Sequence, residues 1–377
     1  MRILHINKRY PPHVGGIESH LQDLARAQAA VPGVEVEVAV VAEGDPGREV
    51  DRGVVVNRLP QLGIVASNPL STALLDVLKA SSHDVWHLHY PFPTGELAVL
   101  LASVRRPSLP RIVCAYHSDF VAQSVTKRVL SVPYSVLTKR FLDRADGVIV
   151  SSPQLAQSSS FLRRVAHKVR VIPFGIDPAP LQADEGLAER SIELRERYGT
   201  PLTLFVGRLV PYKGVDVLLE AFRHVPGTLA VVGEGPLRGR LEERAAVMGI
   251  GERVVFAGSL SFRDLVAHYH AADVFVLPSV TPNEAFGLVQ LEAHACGVPV
   301  VSTDLPTGVP FANSHGETGL VVPPGDAVSL AAALGLLLED EELRARLGAQ
   351  ARERQAKEFS LEAMTGRVLG YYEELLL

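Results

Sequence analysis

Cysteine is almost missing: Cys114 and Cys296 are the only two in 377 residues. They stand far apart in apolar stretches, which excludes a disulfide scaffold and predicts buried thiols in a reducing compartment. Long hydrophobic runs are missing too. The richest stretch, Leu330 to Leu338, falls well short of the ~18 to 20 residues that a membrane-spanning helix needs. The opening run Met1 to Ile6 stops at Asn7-Lys8-Arg9, with neither the length nor the small-residue cleavage site of a signal peptide. These absences predict a cytoplasmic protein. No His-Glu-x-x-His is formed by His87, His89, His117 or any other histidine, and Asp-x-Asp is absent, so no metal site is expected. A Gly-x-Ser-x-Gly elbow is also lacking, which argues against a serine hydrolase. With 47% hydrophobic, 21% charged and 6% aromatic residues, the chain has the balance of a globular protein rather than a disordered one.

The length suggests two domains, each with its own core. The net charge of -5 hides an asymmetry: residues 1–175 carry 20 Lys and Arg against 14 Asp and Glu, and the remainder 17 against 28. A basic half suits an anionic partner, either a membrane surface or a phosphate-bearing substrate. Arg2 to Ile6 reads as a strand leading through a Pro-Pro and Gly-Gly loop into a helix over Glu18 to Ala30. Further β-branched runs follow at Val34 to Val41, Val54 to Arg58, Val85 to His89, Arg111 to Tyr116, Gly147 to Ser151 and Lys168 to Ile172. A second cycle has strands at Leu202 to Val206, Thr228 to Val232, Arg253 to Ala257, Val274 to Leu277, Val298 to Ser302 and Gly319 to Val322. Helical patterns separate them at Val215 to His224, Leu237 to Met248, Ser261 to Ala271, Gly287 to Ala295 and Ala327 to Leu338. Two α/β halves with parallel sheets are expected, meeting at Ile172 to Pro178, where Pro and Gly punctuate the chain. Such halves would enclose a cleft, and ligands of open α/β sheets sit outside the carboxyl ends of the strands.

Several motifs fall at those strand ends. Gly207-Arg208 and Lys213-Gly214 place a guanidinium and an ammonium in one loop, a pair suited to a diphosphate or simply to solvent. Glu284 lies in a loop before a helix expected to begin near Phe286, and Glu292 lies within that helix. The amides of Phe286, Gly287 and Leu288 could then meet an anion, while the two glutamates accept sugar or ribose hydroxyls. Gly233-Glu234-Gly235 looks like a dinucleotide fingerprint but has Arg238 where the third glycine should be, so a nicotinamide dehydrogenase is not expected. Gly15 and Gly16 open a helix where amides could close over a phosphate. His117 and Asp119 follow a strand and could reach substrate. Gln123 to Arg144 mixes Lys127, Arg128, Lys139, Arg140 and Arg144 with apolar residues, as either an ordinary surface helix or one lying on an anionic bilayer.

Together, the Gly15-Gly16 loop, His117, Arg208 with Lys213, Gly233-Glu234-Gly235 and the Glu284/Glu292 pair resemble the retaining glycosyltransferases of family four over nearly the full length. The resemblance implies the GT-B architecture, two Rossmann-like domains with parallel sheets facing an interdomain cleft. Residues 1–173 would take the acceptor, residues 174–355 the nucleotide sugar, and the C-terminal helix 356–377 would pack back on the first domain. By the same resemblance Arg208 and Lys213 stabilise the donor diphosphate and Glu292 binds the ribose. Glu284 and the amides of Phe286, Gly287 and Leu288 hold the sugar. Gly15, Gly16, Gly207 and Gly235 belong to the donor site, His117 lies near the transferred sugar, and Asp119 falls on the acceptor side. No metal or other cofactor is implied, and the leaving phosphate would take the acceptor proton in a same-face, retaining transfer.

Tyr116 to Asp119, Glu284 to Ala293 and Thr307 to Pro310 are similar, more narrowly, to bacterial mannosyl- and rhamnosyltransferases of surface polysaccharide synthesis. That likeness implies a GDP-sugar, a lipid-linked or membrane-associated glycan acceptor, and a place at the inner face of the plasma membrane; nucleic acid is not an expected partner. Phe174 departs from the Asn many relatives carry in the linker, and Ser279 to Asn283 is a variable approach to Glu284. A soluble acceptor with a UDP- or ADP-sugar, or a non-catalytic sugar-nucleotide binder, are the alternatives.

Overall fold

The computed structural model describes residues 1–13, 15–65, 68–104, 110–119 and 125–377, with the backbone alone for 125–131. The chain divides into two compact units, Met1–Phe174 with Leu361–Leu377, and Gly175–Ser360. The sequence pattern places the division after residue 173 and the return at 356, so the observed boundaries differ by one residue and by five.

In the first unit an eight-stranded sheet is built from β1 (Arg2–Ile6), β2 (Glu35–Val41), β3 (Gly47–Asp51) and β4 (Val54–Leu59). Two further strands, β5 (Gly63–Val65) and β6 (Asn68–Leu70), form a separate hairpin. The sheet continues with β7 (Val85–Tyr90), β8 (Arg111–Tyr116), β9 (Gly147–Val150) and β10 (Val169–Val171), in the order β10-β9-β8-β7-β1-β2-β4-β3. Only β3 runs antiparallel, paired with β4. The inner strands β1, β7, β8 and β9 are buried on both faces, as parallel strands between helices must be. On one face Trp86, Leu88 and Tyr90 pack with Leu74, Leu78, Val99 and Phe141 from the helices Ala73–Ala80, Pro93–Ala102 and Val125–Arg144. On the other, Ile3, Val38, Val85 and Val113 pack with Leu21 and Leu24 of the helix Gly16–Ala29 and with Met364, Val368 and Tyr372 of the helix Leu361–Leu376.

The second unit holds six parallel strands: β11 (Leu202–Val206), β12 (Thr228–Val232), β13 (Val254–Gly258), β14 (Val274–Leu277), β15 (Val300–Thr303) and β16 (Gly319–Val322). Their order is β13-β12-β11-β14-β15-β16. Counted within the unit this is the doubly wound order 3-2-1-4-5-6, whose strand order reverses between β11 and β14. In the first unit the reversal falls between β1 and β7.

The best-buried strands, β7, β9, β11, β14 and β15, are ones the sequence pattern predicts, because each is an apolar run buried along its length. The predicted β10 is largely exposed. The unanticipated strands carry no such apolar signal: β3 shows four of its five residues to solvent. Two helix starts differ from expectation. The first helix begins at Gly16 rather than Glu18. The other begins at Leu288 rather than near Phe286, because Gly287 takes a left-handed conformation (φ 74°) and stands as its N-cap.

Candidate active site

At the β11/β14 reversal, two loops are pressed together. Gly214 has φ 69°, and a Cβ there would lie 2.0 Å from the carbonyl oxygen of Pro278, so no side chain fits. The amide of Val280 donates to the carbonyl of Tyr212 at 2.8 Å. This contact brings Lys213, at the end of a short 3-10 turn (Pro211–Lys213), against the loop that carries Glu284. Lys213 Nζ lies 2.5 Å from Glu284 Oε2, and the two residues are 8% and 7% exposed. Ser279 Oγ donates to the same carboxylate oxygen at 3.0 Å. Arg208 is exposed on the loop after β11; its carbonyl accepts from the Val210 amide at 2.9 Å, and its guanidinium is in no hydrogen bond or ion pair among the described residues. The site thus offers one exposed guanidinium, one ammonium with a fixed carboxylate, and the opening of a helix.

That opening is displaced from the expectation. Phe286 is not in the helix; its ring is buried against Phe359, and its carbonyl accepts from Gln290 Nε2 at 2.5 Å. The first helical amides are those of Leu288 and Val289, with Gly287 supplying the turn; a Cβ at Gly287 would sit 2.5 Å from Leu277 Cδ2. Glu292 follows one turn later, where the Tyr269 hydroxyl donates to its Oε2 at 2.6 Å. The loops after β11 and β12 are laced by backbone bonds, Gly207 N to Val232 O and Leu209 N to Glu234 O, both 2.9 Å. Gly235 continues this turn, its amide neighbour Glu234 paired outward with Arg238.

In the first unit, Gly15 is the extended N-cap of its helix and Gly16 is exposed at the first helical position. His117 follows β8 and is 3% exposed. Burial, helped by the nearby charge of Lys8, pushes its pKa down to about 3. Its ring lies parallel to those of His89 and Phe174, at centroid distances of 5.3 and 5.6 Å. Asp119 is bound inside its own unit: its Oδ1 accepts from Tyr116 Oη at 2.5 Å and from Ser159 Oγ at 2.7 Å. Of the basic helical residues, Lys139 and Arg140 are exposed, while Lys127 and Arg128 lie outside the described side chains.

Sequence reasoning missed a cluster of histidines around His117. His5 on β1, His87 and His89 on β7, and His20 on the first helix are all buried beside it. The available signal was the alternation His87-Leu88-His89, which puts both rings on one face of a strand. Metal ligation had been set aside on motif grounds, yet ligand nitrogens of His5, His87 and His89 lie within 4.8 Å of one another. No carboxylate joins this trio among the described residues, so a divalent cation there would be buried without compensating charge.

The comparisons agree with this layout. Glycosyltransferase Family 4 matches residues 14–180, and Glycosyl transferases group 1 matches residues 189–354. The chain is 34% identical to O-antigen chain mannosyltransferase C of Escherichia coli over 100% of this chain and 99% of that protein. It is also 34% identical to a D-rhamnosyltransferase of Pseudomonas aeruginosa, covering 94% and 92%. A GDP-mannose-dependent alpha-(1-6)-phosphatidylinositol monomannoside mannosyltransferase of Mycolicibacterium smegmatis is 31% identical, covering 93% and 92%. Among solved structures, sucrose-phosphate synthase from Thermosynechococcus elongatus superposes with a TM-score of 0.80 at 28% identity, covering 99% and 98%. With two Rossmann-like units, a basic strand-end loop facing a paired glutamate, and full-length likeness to sugar transferases, the chain belongs to glycosyltransferase family four and has its GT-B fold.

Proposed function

We propose that the protein is a retaining hexosyltransferase that moves mannose or rhamnose from a GDP-sugar to a hydroxyl of a lipid-linked or membrane-associated glycan. The observation that carries this reading is the buried Lys213–Glu284 pair at the strand-order reversal of the second unit, with Arg208 exposed on the same loop. A donor diphosphate gives the planar Arg208 guanidinium two oxygens to bind side by side and gives Lys213 a second anion. Glu284, already held by Ser279, then accepts hydrogen bonds from sugar hydroxyls. Glu292, oriented by Tyr269, accepts those of the ribose. Leu288 and Val289 present amides, and their helix its positive end, to the phosphates.

Charge that grows on the leaving diphosphate is stabilised by these fixed cations and dipoles, so no metal ion is called for. The departing phosphate oxygen takes the proton of the attacking hydroxyl on the same face, giving retention. His117 stays neutral down to about pH 3, so it serves as a hydrogen-bonding partner of a sugar hydroxyl and not as a cationic acid. The relatives, an O-antigen chain mannosyltransferase and a GDP-mannose-dependent phosphatidylinositol monomannoside mannosyltransferase, support the donor and acceptor classes.

A thermal-shift series with GDP, UDP, ADP and dTDP tests the donor. At about 100 times the dissociation constant a bound nucleotide stabilises by ~2.7 kcal/mol, which is several degrees in a protein of this size. GDP alone should raise the midpoint. A rise with UDP alone would keep the sugar-transfer reading and remove the GDP donor.

A further inference from the structure

The histidines behind His117 form a single file of hydrogen bonds. Gln28 Oε1 lies 2.7 Å from His5 Nε2, His5 Nδ1 lies 3.1 Å from His89 Nε2, and His89 Nδ1 lies 3.0 Å from His117 Nε2. Each ring uses both nitrogens, except that His117 Nδ1 has no partner among the described residues. All of these side chains are buried, Gln28 and His5 completely. Burial keeps the rings neutral: His5 is pushed down to about 4, His117 to about 3, and His89 well below its ordinary value.

A neutral imidazole carries one N–H, so each ring in the file must donate at one end and accept at the other. The direction of the whole file is therefore fixed at its start. Gln28 turns its carbonyl oxygen to His5, so His5 donates from Nε2 and accepts at Nδ1. His89 then donates from Nε2 and accepts at Nδ1, and His117 donates from Nε2. A reversed amide at position 28 would reverse every proton in the row. Gln28 stands on the helix Gly16–Ala29, which packs on the helix that carries Tyr372, and its Nε2 makes no hydrogen bond among the described residues, so the direction of the file rests on the contact of its Oε1 with His5. Tyr372 Oη is 2.5 Å from His87 Nδ1, so the neighbouring ring is fixed by a separate partner and does not enter the file.

We propose that Gln28, acting through His5 and His89, sets the tautomer of His117, so that His117 presents an unprotonated Nδ1 as the acceptor for a substrate hydroxyl. Gln28, His5 and His89 are positioning residues for the transfer reaction, and the assignment rests on the functional reading of His117 given above. The chemistry it selects is a hydroxyl donor; a carbonyl or phosphate oxygen at that place would meet a lone pair and be repelled.

The test is the tautomer itself, read by long-range 1H–15N NMR on protein labelled in its histidines, with His117→Ala to assign the resonances. The wild-type protein should show His117 with a proton on Nε2 and none on Nδ1. Gln28→Glu keeps an acceptor toward His5 and should keep that tautomer. Gln28→Met removes the acceptor and should give His117 as a mixture of both tautomers, with kcat lowered roughly tenfold or more. His5→Phe cuts the file one link further along and should give the same mixture. A wild-type His117 protonated on Nδ1, or an unchanged tautomer in folded Gln28→Met, overturns the proposal. Because the readout needs no substrate, that failure is distinct from a failure of the functional reading, which full transfer activity in His117→Ala would reveal.

Discussion

Lys213 and Glu284 are each under a tenth exposed, and their 2.5 Å contact is the price of keeping two charges out of water. Removing one partner strands the other, so Glu284→Ala should lower the apo melting temperature by several degrees, as should Lys213→Ala. The double variant Lys213→Ala/Glu284→Ala should lose less than the two single losses added together. Both single variants should lose sugar transfer. Midpoints that simply add in the double variant would show that the two charges do not depend on each other. Glu96 is a second buried acid, wholly inside the first unit, where Tyr134 Oη donates to it at 2.7 Å and Thr138 Oγ1 at 3.1 Å. Burial pushes its pKa up to about 7. An acid raised on folding is most stabilising when protonated, so its contribution is fully present below pH 4.5 and is lost as pH rises to about 7. Glu96→Gln should therefore gain stability over the wild type between pH 5 and 8, by at most roughly 3 kcal/mol. A melting-temperature difference that stays flat across that range would contradict this assignment.

Among the elements, the helix Leu361–Leu376 closes part of one core of the first unit. It comes from the far end of the chain, yet Met364, Val368 and Tyr372 complete the core over Ile3, Val38 and Val85. Tyr371 Oη also donates to the Lys168 carbonyl at 2.9 Å, and Gly147 leaves the space that its ring occupies. Ending the chain after Ser360 should expose one face of the sheet and lower the unfolding midpoint of the first unit. The single tryptophan, Trp86, is completely buried in that unit and reports on it alone. Its fluorescence should give a lower guanidinium midpoint in the truncated chain; an unchanged midpoint would mean that the helix adds nothing to this core. The buried strands of both sheets and most of the crossover helices of the second unit were legible because period-two and period-3.6 patterns reflect what is buried. The start at Leu288 was not, since it depends on Gly287 taking φ 74° at a place where Leu277 and Gln290 fill the space a side chain would need.

For the molecule as a whole, no helix among the described residues is long and apolar enough to cross a membrane. A surface of the first unit nevertheless combines exposed apolar and basic residues. Leu97, Leu101 and Val104 are exposed on and after the helix Pro93–Ala102, and Val132, Val136, Lys139 and Arg140 on the helix that packs beside it. Such a face would lie on an anionic bilayer. The protein should sediment with vesicles containing phosphatidylglycerol, and Lys139→Glu/Arg140→Glu should weaken that binding, more so at low salt; no sedimentation of the wild type would remove the membrane from the proposed function. The sequence by itself determined the α/β class, the two strand–helix cycles and the candidate groups at the strand ends, because burial periodicity and loop chemistry are local properties. It also carried the resemblance to the family, through the Gly15-Gly16 loop, His117, Arg208 with Lys213, Gly233-Glu234-Gly235 and the Glu284/Glu292 pair. Only the tertiary structure decided that Lys213 is already paired, that Asp119 is held by Tyr116 and Ser159, and that Gln28, His5 and His89 stand in file behind His117. Those contacts join residues 23 to 84 positions apart along the chain in the histidine file and 71 apart at the ion pair, given by the residue numbers. No local pattern encodes such pairings; they exist because parallel strands and their crossovers bring distant strand ends together.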